Sequence, residues 1–318
     1  MILLWGLSGD APFDSVCAAL QRRGARVAVV DQRLALQTSA EVTFGERLSA
    51  TITVDGQSVP LDDVTAVYWR TYDVRRLPAV LAADAEGANG AALGAAWGLE
   101  EALVVWLEMA TACVVNRPSN MANNGSKPYQ LDLLRACGFE LPKTLITTDP
   151  DAVLRFWTDC ASVIYKSISG TRSVVSRLGE SHLQRLEHVA WCPTQFQQFV
   201  PGRDHRVHVV GDDVFACEVL SDADDYRYAG LRGEPARLRE VRLPADIVAA
   251  CVAAARSLGL HLAGIDLRRA PDGRWFCFEV NPSPGFTYYE ANTGQPIADA
   301  IASFLVSTAP RGGASGGL

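Results

Sequence analysis

The chain has 318 residues, of which 48% are hydrophobic and 20% are charged, and its formal net charge is -7. This length suits two or three subdomains, and the negative charge argues against a general nucleic-acid binder, because duplex affinity depends on clustered Lys and Arg. No segment of the sequence is apolar enough to cross a bilayer and no signal-like segment opens it, so we expect a cytoplasmic protein without a membrane partner.

The first third of the sequence predicts a small α/β layer. Apolar runs and helical periodicity indicate strands at 2–5, 27–31 and 66–70, a helix at 13–23, a hairpin between 42 and 59, and a mostly helical, alanine-rich segment at about 79–113. A Pro-containing segment at 115–119 marks the boundary to the next unit.

The middle of the chain predicts a second unit that contains a buried lysine. The elements are a polar loop at 123–127, helices at 129–137 and 149–160, and strands at 163–166 and 195–200. Lys166 lies in the strand 163–166, where a charged side chain needs a partner. A loop of small polar residues at 167–173 follows this strand.

The last third of the chain predicts two hairpins separated by a helix. Segments 206–210 and 214–220 form the first hairpin, a helix covers 245–258, and the second hairpin turns at Asp272-Gly273. Aspartate followed by glycine between apolar runs is a strong hairpin signal, because glycine accepts the positive backbone angles of a tight turn.

The second hairpin places two acids opposite each other. Asp266 and Glu279 are equally distant from Asp272-Gly273, so a symmetric hairpin pairs them directly. Alternation predicts one face with Leu262, Gly264, Asp266, Cys277, Glu279 and Asn281, and an opposite core face with Ala263, Ile265, Leu267, Phe276, Phe278 and Val280.

Two opposed carboxylates repel each other unless a cation lies between them or one carries a proton. With the amide oxygen of Asn281, Asp266 and Glu279 form an oxygen-only donor set that suits magnesium, an ion that shares its coordination shell with phosphates. The alternative is the solvated face of an ordinary antiparallel hairpin. The rigid segment 281–286, with two prolines and a glycine, favours the functional interpretation.

A series of short motifs occurs in a fixed order along the second and third units. They are Lys127 before a helix, Gly138 and Pro142 leading to Thr144, Lys166 with its small-residue loop, Gln198-Phe199-Val200, Asp204-His205-Arg206, Asp225-Tyr226-Arg227, Gly264-Ile265-Asp266 and Glu279-Val280-Asn281-Pro282-Ser283-Pro284-Gly285. Together these motifs resemble the ATP-grasp superfamily, in particular its RimK-like branch of carboxylate-amine ligases, over roughly residues 114–306.

This resemblance implies an α/β (α+β) architecture with the ATP-grasp fold. Two subdomains would clasp ATP between them, behind an N-terminal α/β pre-domain. The expected limits are 1–117 for the pre-domain, 118–200 for the central subdomain with its lid loop, 201–310 for the C-terminal subdomain with the metal site, and 311–318 for a flexible tail.

The resemblance also implies roles for individual residues. Lys127 and Lys166 would contact the ATP phosphates, and the backbone of Phe199 and Val200 would hold adenine. The full set of implied nucleotide-binding residues is Lys127, Lys166, Ser169, Gly170, Gln198, Phe199, Val200 and Asp204. Asp266, Glu279 and Asn281 would bind magnesium, with manganese as the alternative ion. Arg206 would lie near the transferred phosphoryl group, and Arg227 would face the phosphate or the carboxylate substrate. The alternative for each arginine is a surface salt bridge.

The reaction implied is attack by a substrate carboxylate on the γ-phosphate of ATP, followed by capture of the acyl phosphate by an amine. The expected partners are amino-acid, peptide or small-molecule carboxylates and amines. Assembly into a homo-oligomer is an open alternative to a monomer. Asp225-Tyr226-Arg227 and the strand at 66–70 also resemble graspetide synthetases, which crosslink a ribosomal precursor peptide. An alternative from another class is a nucleotide-binding module without catalytic activity.

Overall fold

The computed structural model describes residues 1–46, 48–88, 90–125, 127–168, 175–221 and 237–308. Within these ranges the chain forms four β-sheets. In the same ranges, no helix has both the length and the apolar character that a membrane span requires.

The strands and helices have the following limits. The strands are β1 (Ile2–Gly6), β2 (Val27–Asp31), β3 (Thr38–Phe44), β4 (Leu48–Val54), β5 (Gln57–Pro60), β6 (Ala66–Arg70), β7 (Cys113–Val115), β8 (Thr144–Thr147), β9 (Val163–Ser167), β10 (Ser176–Arg177), β11 (Thr194–Gln198), β12 (Arg203–Val210), β13 (Asp213–Leu220), β14 (Arg237–Glu240), β15 (Leu262–Arg269) and β16 (Trp275–Asn281). The helices are α1 (Ala11–Arg22), α2 (Pro78–Ala83), α3 (Ala91–Met109), α4 (Pro118–Met121), α5 (Lys127–Arg135), α6 (Pro150–Asp159), α7 (Glu180–Leu183), α8 (Ala245–Ser257), α9 (Thr287–Thr293) and α10 (Ile297–Ser307).

The N-terminal sheet is parallel, with strand order β2-β1-β6-β7. Parallel neighbours need a crossover connection, and α1 supplies the one between β1 and β2. The carboxylate of Asp10 caps α1 by accepting a hydrogen bond from the Phe13 N–H. The predicted hairpin between 42 and 59 is a three-stranded antiparallel sheet, β3-β4-β5. Strand β7 was not predicted, because its three residues directly follow a long helical segment.

The central sheet is antiparallel, with strand order β10-β9-β11-β8. Its two faces differ in character. Tyr165, Phe196 and Leu145 lie on one face and pack in a core cluster that includes Val153 of α6. Lys166 of β9 pairs with Gln195 of β11 on the other face.

The C-terminal sheet has five antiparallel strands in the order β14-β13-β12-β15-β16. One face packs against α8 through a cluster that includes Val207, Ile265, Cys251 and Val280. The opposite face carries the polar residues of the candidate site.

The last helix of the described chain packs on the first. Helix α10 contacts α1, and Arg23 donates to the Asp299 carboxylate at 2.7 Å. One core cluster combines residues from both ends of the chain, among them Leu4, Phe13 and Ile301. The N-terminal sheet therefore shares its core with C-terminal elements.

The β15–β16 hairpin contains two irregularities that compensate each other. Asp266 pairs with Glu279, as predicted, but Leu267 pairs with Cys277, so Phe278 is an additional residue on β16. The turn is one residue longer than a two-residue hairpin, with Gly273 at φ +90°. The prediction that Cys277 shares the face of the acids is wrong, because the bulge at Phe278 turns Cys277 into the core cluster under α8. For the same reason Phe276 and Phe278 pack in a separate cluster with Val200.

Candidate active site

The two acids of the hairpin lie on the polar face of the C-terminal sheet, next to a buried arginine. Arg206 of β12 pairs with Asp266 in register, and its Nη1 atom lies 2.6 Å from Asp266 Oδ1. The side chain of Arg206 is 7% exposed and that of Asp266 is 23% exposed. Arg206 therefore offsets part of the negative charge that Asp266 and Glu279 bring together across the strands.

Asn281 completes the predicted donor set at the end of β16. Its amide nitrogen lies 3.3 Å from Glu279 Oε1 and 3.5 Å from the Gly264 carbonyl. Within the described ranges, no group of three or more His, Cys, Asp or Glu residues is arranged to hold a metal. Two carboxylates and one amide are hard oxygen donors, so this set fits magnesium only if water or phosphate completes the shell.

A glycine allows the arginine to lie flat on the sheet. A Cβ atom at Gly264 would lie 2.6 Å from Pro284 Cβ and closer still to the Arg206 guanidinium. Any other residue at Gly264 would therefore displace either Arg206 or the proline-containing loop.

Arg268 connects the acid-bearing strand to the segment predicted to hold adenine. It lies two residues after Asp266 on β15 and forms a bidentate ion pair with Asp204, at 2.7 and 2.9 Å. Its Nη1 atom also donates to the Val200 carbonyl at 2.8 Å, and its guanidinium lies 5.6 Å from the centre of the Phe199 ring. Arg177 lies on the same ring at 3.9 Å.

The backbone of the predicted adenine segment is partly committed to the fold. The Phe199 N–H donates to the Ser162 carbonyl at 2.9 Å, and the Val200 carbonyl accepts from Arg268. The side-chain oxygen of Gln198 accepts from the Lys143 N–H at 3.4 Å. If this segment holds adenine, we expect it to use the Phe199 carbonyl and the Val200 N–H.

The polar face of the central sheet contains a buried lysine and two buried glutamine amides. Lys166 is 8% exposed, and the side-chain oxygens of Gln195 and Gln197 are buried and accept no hydrogen bond from the described part of the chain. The Thr144 hydroxyl donates to the Pro142 carbonyl, so Thr144 Oγ1 must accept from Gln197 Nε2 at 3.0 Å. This bond fixes the Gln197 amide with its oxygen unpaired.

A buried histidine supports Arg206 from the same face. His208 is 1% exposed, its Nε2 atom lies 3.5 Å from Arg206 Nε, and it also hydrogen-bonds to the Gly285 backbone. Burial, and then the charge of Arg206, lower the pKa of His208 well below its ordinary value. The neutral ring fits these contacts, because one nitrogen accepts from Arg206 and the other donates to Gly285.

Some predicted site residues lie outside the part of the chain that the structure describes. Ser169, Gly170 and Arg227 belong to this group, and so does the side chain of Lys127, whose backbone begins α5. The described residues bring together Arg206, Asp266, Glu279 and Asn281 in one group, and Asp204, Phe199 and Val200 in another.

The sequence interpretation missed Arg268, Gln197 and His208 as residues of the site. Arg268 follows Asp266 by two positions, so strand alternation alone places it on the face of the acids. His208 follows Arg206 by two positions in the same way. No comparable signal distinguishes Gln197, because its importance depends on the bond to Thr144 from a distant strand.

The chain matches known proteins in sequence over more than half of its length. A model of the RimK-like ATP-grasp domain family matches residues 124–305. A probable alpha-L-glutamate ligase of Sodalis glossinidius (strain morsitans) is 33% identical over 210 residues, and one of Shewanella loihica is 30% identical over 216 residues. These matches cover 62% and 64% of this chain and 70% of each relative.

The chain matches solved structures over nearly its whole length. The ATP-grasp ligase PsnB, complexed with a phosphomimetic variant of its minimal precursor, Mg and ADP, has a TM-score of 0.77 and 29% identity, over 96% of this chain and 98% of PsnB. A RiPP-associated ATP-grasp ligase of Chryseobacterium gregarium, in complex with ADP and a leader and core peptide, has a TM-score of 0.82 and 24% identity, over 98% of this chain and 97% of that one. The fold is the ATP-grasp fold predicted from the sequence, and the chain belongs to the RimK-like ATP-grasp family of carboxylate-amine ligases.

Proposed function

We propose that this ligase acts on a peptide, forming ATP-dependent ester or amide crosslinks between side chains of a ribosomal precursor. The observation that carries this proposal is the similarity to PsnB, which includes the N-terminal sheet as well as the ATP-grasp units. PsnB is complexed with its minimal precursor, Mg and ADP. The domain limits 1–117, 118–200 and 201–310 belong to the same proposal.

A second candidate substrate is a free amino acid joined through an amide bond. The glutamate ligases that resemble this chain support it, since their sequence identity reaches 33%. Their matches cover less than two thirds of this chain, however, whereas the match to PsnB covers 96%. The difference in coverage favours the peptide.

We place ATP between the central and C-terminal sheets. The unpaired Gln197 oxygen supports this placement, because a buried acceptor without a partner costs about 1–3 kcal/mol and the amino group of adenine would supply the missing donor. The Phe199 carbonyl and the Val200 N–H would hold the remaining polar edge of the base. Lys166, on the face that also carries Gln197, would contact the phosphates.

We propose that Asp266, Glu279 and Asn281 hold magnesium, which neutralises charge on the ATP phosphates when it is bound. Arg206 stays next to Asp266 and faces the transferred phosphoryl group, where it stabilises the charge that develops there. The substrate carboxylate attacks the γ-phosphorus, ADP leaves, and the amine or hydroxyl acceptor then displaces phosphate from the acyl phosphate. The side chains position the substrates and neutralise the charge on the phosphates, and none forms a covalent bond with a substrate.

The test compares substrate classes at equal ATP and magnesium. The protein is incubated with pools of amino acids and, separately, with acidic peptides that contain Lys, Ser or Thr, and ADP release is followed together with peptide mass. We expect peptide-stimulated ADP release and loss of one water from the peptide for each bond formed. Stimulation by amino acids alone would support the glutamate-ligase alternative. Bound ATP without any substrate-stimulated ADP release would support a module without catalytic activity.

A further inference from the structure

The side chain of Asn116 joins the N-terminal sheet to the strands that carry the proposed metal ligands. Asn116 follows β7 directly and is 2% exposed. Its amide nitrogen donates to the Leu262 carbonyl at 2.7 Å and to the Pro282 carbonyl at 2.6 Å. Its oxygen accepts from the N–H groups of His261 at 2.7 Å and Leu262 at 3.1 Å. Two carbonyls face the nitrogen and two N–H groups face the oxygen, so the orientation of the amide is fixed.

Arg70 makes a second connection of the same kind. It ends β6, the neighbour of β7 in the N-terminal sheet, and its Nη1 atom donates to the carbonyls of Ser283 at 3.1 Å and Pro284 at 3.2 Å and to the Ser283 hydroxyl at 3.0 Å. The carboxylate of Asp10 holds Arg70 in place, with a distance of 2.6 Å to Nε. Asp10 also accepts from the Tyr72 hydroxyl.

Both connections end on the loop that follows Asn281. Pro282 and Pro284 have no N–H, so this loop can form few turn hydrogen bonds of its own. Its carbonyls at 282, 283 and 284 are instead held by Asn116 and Arg70. Asn116 also hydrogen-bonds to the backbone of Leu262, the first residue of β15. Two residues further along β15, Gly264 pairs with Asn281 of β16. Asn116 therefore bridges the start of β15 and the end of β16.

We propose that Asn116 and Arg70 are positioning residues, through which the N-terminal sheet fixes Asn281 and Glu279 for the metal. The proposal rests on the metal site proposed above. Residues outside the first coordination shell that orient metal ligands typically contribute about 10–100-fold to metal affinity. Neither residue belongs to the proposed ligand set, so we expect their effect to act through the backbone of the loop and the ends of the two strands.

The experiment measures binding of Mn²⁺ in the presence of ADP by electron paramagnetic resonance, independently of turnover. The variants are Asn116→Asp, which replaces two donors with a repelling oxygen, and Arg70→Gln, which is too short to reach the loop. Arg70→Lys restores one donor. Arg23→Gln is the matched control, because Arg23 also links the N-terminal part to the C-terminal part, through Asp299, but away from the loop.

We expect Asn116→Asp and Arg70→Gln to weaken Mn²⁺ binding by about 10-fold, Arg70→Lys by less, and Arg23→Gln not at all. Thermal unfolding of each variant is followed in parallel, and Arg70→Gln carries the test if Asn116→Asp does not fold. Folded Arg70→Gln with unchanged Mn²⁺ affinity would overturn the proposal. The variant Glu279→Gln separates failure of the positioning proposal from failure of the metal assignment. If Glu279→Gln also leaves Mn²⁺ binding unchanged, the assignment of the metal ligands is wrong.

Discussion

Replacement of Asp266 by Asn removes a proposed metal ligand and the countercharge of a buried arginine in one step. Removing one partner of a fully buried ion pair typically costs about 3–5 kcal/mol. The side chain of Asp266 is 23% exposed, and Glu279 lies directly opposite, where a second carboxylate can face Arg206. We therefore expect Asp266→Asn to lower the free energy of unfolding by less than this, roughly 2 kcal/mol.

The effect on activity should be much larger than the effect on stability. Loss of a charged metal ligand at the phosphoryl group should lower kcat by more than about 100-fold. The assay follows ADP release at saturating ATP, with magnesium varied, and urea unfolding gives the stability. Asp272→Asn is the matched control, because Asp272 lies in the same hairpin and also pairs with an arginine, Arg274, but at the surface.

The control should unfold at nearly the same urea concentration as the wild type and should release ADP at the same rate. If Asp266→Asn keeps normal turnover, the assignment of Asp266 as a metal ligand is refuted. If both variants lose activity equally, the hairpin as a whole is needed and its acid pair has no special role.

Three further predictions concern the central sheet and the buried histidine. Lys166→Met should weaken ATP binding by about 10–100-fold without loss of fold, because the substitution removes a charge-assisted contact to phosphate and keeps the hydrocarbon stem. Calorimetric titration with ATP measures the affinity. Gln197→Met should reduce the preference for ATP over GTP, measured as the ratio of kcat/KM values, because the unpaired acceptor for the adenine amino group is lost. The pKa of His208 is lowered in the folded state, so the neutral ring stabilises the fold at pH values above the unfolded pKa of about 6.5. As the pH falls below that value, the free energy of unfolding should decrease by at most about 1.4 kcal/mol per pH unit. Urea unfolding at a series of pH values, compared with a His208→Gln variant, measures this slope.

Each of these predictions has an outcome that contradicts it. Unchanged ATP affinity in Lys166→Met, with the exposed Lys143→Met as control, would make Lys166 a structural ion-pair residue. An unchanged ratio of kcat/KM for ATP and GTP in Gln197→Met would refute the proposal that Gln197 contacts adenine. An equal pH slope with and without His208 would assign acid sensitivity to other groups, such as His205 and His261, whose pKa values burial also lowers.

Local signals in the sequence were sufficient where the structure depends on alternation and turns. The opposition of Asp266 and Glu279 was predicted by counting from Asp272-Gly273, and the structure confirms it. The count succeeded because two irregularities cancel, namely a longer turn and the bulge at Phe278. For the residues between the turn and the bulge the count gives the wrong partner, and Cys277 therefore lies on the core face.

Contacts between distant segments could not be predicted in this way. The orientation of the Gln197 amide depends on Thr144, and the position of the 282–284 loop depends on Asn116 and Arg70. A side chain that bonds to carbonyls more than a hundred positions away leaves no periodicity in its own segment. Such residues become recognisable only once the topology brings the strand ends together.

The packing of α10 on α1 has a consequence for synthesis of the chain. During translation the N-terminal sheet is made long before Ile301 and Leu305, which cover its apolar surface. Until then Leu4 and Phe13 lack part of the apolar surface that finally covers them. The contacts with Ile301 and Leu305 join segments that lie far apart in the sequence, which slows folding. We expect the nascent protein to depend on a chaperone during this interval, and truncation before α10 to yield aggregates.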